Sequence, residues 1–267
     1  MGKGKRNRED RERAREEEAE AASAKRPFPD PRLWATEVQE IGGKQVSEPT
    51  FIFPVDRLRL DDGRVLAFHA ATMPGFYLVT AKELRDEGER ERQETLAAIH
   101  EASEREDWAD VNVTDDSLAL DALGKLFSAA ILSAAAVEAY ANEAVDRLPD
   151  GTIIERRRGK ETQQIPKEEA IRRLGLDEKL HLVLPIVSGV DSIKGRKPWD
   201  AFVRLNEIRG EVVHYKPRGK TDDPDTASAL GRLLKGEAST CVDDAASIIL
   251  AYEPNALPES TKQALGL

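Results

Sequence analysis

The stretch "SLALDALGKLFSAAILSAAAVEAYANEAVDR", residues 117–147, decides the fold. Leu120, Leu123, Phe127, Ile131, Ala134, Val137, Ala141 and Val145 recur in it at threes and fours, so one helix face is apolar from end to end. Asp116 or Ser117 supplies the cap. At a rise of 1.5 Å per residue the helix is about 45 Å long. Its small residues, Ala129–Ala136, suit close packing in a core or on a dimer face. A stripe this long needs other helices to cover it, which predicts a mainly α, bundle-like domain.

The following sequence provides those helices. A second spans about 166–188, with Pro166 in its first turn and a break or kink implied by Gly175 and Pro185. Before it, "PDGTIIERRRGKETQQIP" (149–166) reads as a long loop carrying the basic cluster Arg156–Arg158. A third helix runs from about Pro198 to Tyr215 on a stripe of Trp199, Phe202, Leu205, Ile208 and Val212, and Pro217 and Gly219 stop it. A fourth spans about 225–252. These stripes define a bundle over 116–253 that is expected to fold alone. Residues 254–267 remain as a C-terminal tail.

On the other side, residues 1–26 are low-complexity and of mixed charge, and read as a disordered tail. Residues 27–49 are proline-punctuated and read as a lead-in. "TFIFPV" and "RLRLDDGRVLAF" predict short strands, the latter a hairpin turning at Asp61, Asp62 and Gly63. "GFYLV" (75–79) adds a candidate strand. From Thr80, with Glu83 three residues on, a capping-box pattern opens an exposed helix to about 106. Residues 27–115 therefore form a small β-plus-helix module.

Composition narrows the function. The chain of 267 residues is 40% hydrophobic and 34% charged, with one cysteine, Cys241, so no intramolecular disulfide forms. The N-terminus has no apolar core of a secretory signal, and the longest apolar run, 129–137, is short of a membrane span. A cytoplasmic protein with no membrane partner is expected. A net charge of −10 argues against a general nucleic-acid coat. Residues 194–220 are the exception: Lys194, Arg196, Lys197, Arg204, Arg209, Lys216, Arg218 and Lys220 face only Asp200, Glu207 and Glu211. The glycines form no phosphate-cradling loop, and no cluster of His, Cys and carboxylates offers a metal site, so no cofactor or metal is expected.

That basic window contains "LNEIRGEVVHYKP" (205–217), where Arg209 precedes His214 by five residues. Five residues are about 140° around an ideal helix. The two side chains converge only if the arginine reaches round or if two chains contribute. Arg64 and His69 share the spacing inside a predicted strand, where an odd offset separates faces, and that pair is a chance match. Glu138 and Asn142 lie one turn apart beside the stripe of the first helix.

Three stretches, "FSAAILSAAAVEAYANEAV" (127–145), "LDEKLHLVLPIV" (176–187) and "PWDAFVRLNEIRGEVVHYKP" (198–217), together resemble the HEPN superfamily, whose hallmark is an Arg-x-x-x-x-His pattern. The resemblance covers residues 116–253. It implies a bundle of four or five helices and a metal-independent endoribonuclease acting as a homodimer, of a toxin or defence type that has a cognate inhibitor protein. It implies His214 as the acid/base group and Arg209 as the phosphate clamp. Glu138 and Asn142 support the site, and Lys216, Arg218 and Lys220 contact the RNA backbone. The residue after the hallmark arginine is commonly polar in nuclease members and is Gly210 here. The alternatives are a non-catalytic HEPN-like binding or oligomerisation module, or a helical scaffold outside the family.

Overall fold

The computed structural model describes residues 36–41, 44–52, 55–61, 63–69, 72–106, 117–213 and 229–267. The protein is mainly helical, with three two-stranded antiparallel sheets among these residues. The first, β1 (Thr36–Ile41) with β2 (Lys44–Ile52), pairs Thr36 with Ile52 and shifts register between Val38 and Glu40. Residues 36–49 are expected from the sequence to be an irregular lead-in, whereas the end of β2, residues 50–52, falls in the predicted "TFIFPV" strand. The second, β3 (Val55–Arg59) with β4 (Val65–His69), is the hairpin that the alternation around Gly63 predicts. The tail at 1–26 lies outside the described residues.

Helix α1 runs Met73–Glu106, so "GFYLV" is helical rather than a third strand. The cap is Thr72, whose Oγ1 accepts the Gly75 N–H at 3.2 Å. Proline in the first turn, here Pro74, loses no helical hydrogen bond. Leu78, Val79 and Ala81 are buried, and Leu78 and Ala81 belong to the same core as Val137 and Tyr140. Helix α1 therefore packs with the bundle, although the sequence groups it with the N-terminal module. Gly88 marks the closest approach: a Cβ there would stand 3.0 Å from Leu126 Cγ and 3.1 Å from the Ala122 carbonyl of the next helix.

That helix, α2 (Ser117–Asp146), is the predicted central one. It is long and apolar enough to cross a membrane by length and composition, yet half of its most apolar window is buried inside this chain. Ala129, Ala130, Ala134 and Ala136 are buried, so the small residues serve the core.

The expected loop at 149–166 is a hairpin, β5 (Ile153–Arg158) with β6 (Glu161–Pro166), paired without a bulge from Ile153↔Pro166 to Arg158↔Glu161. Ile154 and Ile165 enter the core from one face. Arg156, on that face too, is 6% exposed. Its guanidinium donates to the Arg173 carbonyl (2.8 Å), Glu178 Oε2 (3.1 Å) and Gln163 Oε1 (2.6 Å). Burial of an arginine is tolerable because these acceptors replace water.

Helix α3 (Lys167–Arg173) ends before Gly175, as the sequence predicts. Helix α4 follows as Leu176–Glu178, a π-helical turn Lys179–Val183, and Leu184–Ser188. The Leu184 N–H reaches back five residues to the Lys179 carbonyl. Pro185 has no N–H for the next carbonyl, that of Leu180. Tyr252 Oη donates to that carbonyl instead, and accepts the Ile193 N–H at 3.2 Å. All three residues are buried. Tyr252→Phe should therefore strand a buried carbonyl and a buried N–H. The expected loss is roughly 2–4 kcal/mol, read as a lower urea midpoint at unchanged slope. An unchanged midpoint would show that this bridge holds nothing together.

Helix α5 (Lys197–Val213) matches its predicted span and buries Phe202, Leu205 and Ile208. The fourth predicted helix is two: α6 (Ala229–Leu234) and α7 (Cys241–Tyr252), separated by a turn with Gly236 at φ 89°. Cys241 is fully buried, and burial pushes its thiol above the ordinary value. Arg204 joins α5 to α7, donating to the buried Asp244 at 2.6 and 3.2 Å, and Thr240 Oγ1 donates to the same carboxylate at 3.1 Å. Residues 254–267 are no loose tail: α8 (Glu259–Leu265) buries Ser260, Thr261 and Leu265.

Candidate active site

Three helices contribute polar side chains to one cluster. Glu138 and Asn142 stand one turn apart on α2, beside the buried Val137 and Ala141. Arg209 follows the buried Ile208 on α5. Arg209 Nη2 lies 3.8 Å from Glu138 Oε2, and the two side chains are 40% and 44% exposed. A pair at this distance and exposure adds about 0–1 kcal/mol, so little holds the guanidinium back from another anion. Three of the residues singled out in the sequence are thus brought together. His214 follows Val213, the last described residue of α5, and it lies outside the described residues with Lys216, Arg218 and Lys220.

The fourth member of the cluster is Lys179, which the sequence reading missed. It opens the π-turn of α4 and is only 3% exposed. Its Nζ donates to Asn142 Oδ1 at 2.7 Å. Burial lowers its pKa below the ordinary lysine value, and the Glu138 charge opposes that shift. Its sequence signal was its register: Lys179 precedes the buried Leu180, Val183 and Leu184, where another apolar residue would be expected. A π-turn and a buried ammonium are both costly. Their coincidence beside Glu138 and Asn142 marks this cluster as the candidate site.

Gly210 has open space where a side chain would stand, with nothing among the described residues, outside its own turn of helix, within 4 Å of a Cβ. Among the described residues no helix approaches closely enough to need this glycine. Among the described residues no three His, Cys, Asp or Glu side chains group as a metal site would require.

The buried lysine makes stability depend on pH. Its folded pKa lies below the unfolded value, so between the two values the unfolded chain holds more protons and stability rises with pH. Lys179→Met should melt higher than the parent near neutral pH. That gain should shrink as the pH approaches the ordinary lysine value of 10.5. Paired thermal melts at the two pH values test it. A variant that melts lower at neutral pH would mean that the bond to Asn142 outweighs the burial of charge.

Compared with known protein families, with curated proteins and with solved structures, the chain finds no match.

Proposed function

We propose that the bundle is a metal-independent endoribonuclease of the HEPN type, of toxin or defence character, acting as a homodimer. The observation that carries this reading is the convergence of Arg209, Glu138, Asn142 and Lys179 from three helices, at the end of α5 that leads directly into His214. RNA brings its own nucleophile, the 2′-OH. His214 takes the proton from that hydroxyl as its oxygen bonds to the adjacent phosphorus, and returns a proton to the departing 5′ oxygen. Arg209 holds the charge that gathers on the phosphate, leaving its weak pairing with Glu138 to do so. Glu138 and Asn142 orient Arg209 and Lys179. The products are a 2′,3′-cyclic phosphate and a 5′-hydroxyl.

The test is incubation of the purified full chain with structured and single-stranded RNA in excess EDTA, read on a denaturing gel. Cutting that survives EDTA supports the proposal, and an intact RNA pool counts against it. A second reading, a non-catalytic module that binds or oligomerises, is favoured by Gly210, which leaves bare helix surface where nuclease members commonly carry a polar group.

A further inference from the structure

A second basic surface lies on the β5–β6 hairpin, apart from residues 194–220. Its tip reads Arg157, Arg158, Gly159, Lys160. Gly159 has φ 62°, which closes a two-residue turn between fully paired strands. The base of the hairpin is fixed by Ile154 and Ile165 in the core and by the buried Arg156. Arg156 holds Glu178, and the next residue is Lys179 of the candidate site. The hairpin is thus a stiff arm whose base adjoins that site.

The arm's cations are held in no close ion pair among the described residues, although the charge of Arg158 is felt by Glu178. The chain has 50 acidic residues against 40 basic ones. Lys167 and Arg173 close by are paired with Asp150 and Glu169. Arg157, Arg158 and Lys160 are exposed and hold no ion pair among the described residues, although Glu161 faces Arg158 across the strands. Three exposed cations within four residues, on a pre-ordered support, suit a regular polyanion. An acidic protein partner would more commonly find an aromatic anchor, and the arm's outer face carries Ile153, Glu155, Thr162 and Gln164 instead, with Glu155 set back from the tip.

We infer that the tip of the β5–β6 hairpin is an arm that holds an RNA strand by its phosphates through Arg157, Arg158 and Lys160. The choice of RNA as the polyanion rests on the proposed function. Phosphate contacts of this kind position a strand without reading its bases.

The experiment is fluorescence anisotropy of a labelled single-stranded RNA over a salt series. The full chain carries His214→Ala so that the strand survives, with and without Arg157→Ala, Arg158→Ala and Lys160→Ala together. All three side chains are exposed, so matched thermal melts are expected. The triple change should weaken binding about tenfold or more and flatten the plot of log affinity against log salt by about 2, near 0.7 per lost contact. The loss should be alike for different base sequences. Equal affinity and slope in both proteins would overturn the inference, as would a parent that binds no RNA or an arm that binds polyglutamate in preference to RNA. Arm-dependent binding by a chain whose wild type cuts nothing sinks the nuclease reading and leaves the arm standing. Cutting by a wild type that binds without the arm does the reverse.

Discussion

His214→Ala is expected to lower RNA cleavage by about 10²–10⁴-fold, the contribution of a positioned acid/base group. In the proposed reaction no other histidine stands near Arg209 in the sequence, and the nucleophile belongs to the substrate. Arg209→Lys should fail to restore activity, because an ammonium is a point charge and lacks the planar fork that grips two phosphate oxygens. Both variants should melt close to wild type. The Arg209 side chain is 40% exposed and its ion pair among the described residues spans 3.8 Å, so little stability is lost with it. The measurement is initial cleavage rate for wild type and both variants at equal protein concentration. Equal cutting by His214→Ala would move the chemistry elsewhere.

Deletion of residues 1–115 should abolish cooperative folding, whereas deletion of 1–71 should leave it intact. Helix α1 explains the difference. It buries Leu78, Val79 and Ala81, and burial of two such large aliphatic side chains contributes about 3–6 kcal/mol. It also ties down the other helices. Lys125 of α2 pairs with Glu91 and, at 3.3 Å, with Glu87. Arg92 donates to the Leu234 carbonyl at the end of α6 (2.9 Å), and Arg85 pairs with Asp243 of α7 (3.1 Å). A domain's whole stability is about 5–15 kcal/mol, so losing these contacts removes most of it. Circular dichroism melts of the two truncations decide the matter. A sharp melt of the chain from 116 onward would restore the bundle predicted from the sequence stripes alone.

The parts of the fold legible in the sequence are those where packing and periodicity agree. The stripes of α2 and α5 carry most of the packing, although Leu120 at the start of the α2 stripe is exposed, and the helix spans match the predicted ones within a residue or two. The β3–β4 hairpin carries both alternation and a turn glycine. Elsewhere a local signal competes with a tertiary one. "GFYLV" is apolar and partly β-branched, so it mimics a strand, yet Thr72 and Pro74 start a helix there and Leu78 faces α2. In β5 an arginine takes an inward position between Ile154 and the turn, which hides the alternation. Lys179 was illegible for the same reason: a charged residue stands in a core register. Its partner Asn142 is 37 positions away in the chain. The family resemblance singles out the positions of Glu138, Asn142 and Arg209, and in the fold Glu138 stands beside Arg209.

The measurement that bears most directly on the central claim compares two strands of one sequence, one of ordinary RNA and one 2′-O-methylated throughout, each incubated with the full wild-type chain in EDTA. Cutting of the ordinary strand alone, with fragments that end in a 2′,3′-cyclic phosphate by mass spectrometry, is the predicted result. An intact ordinary strand, or equal cutting of the methylated one, would contradict it.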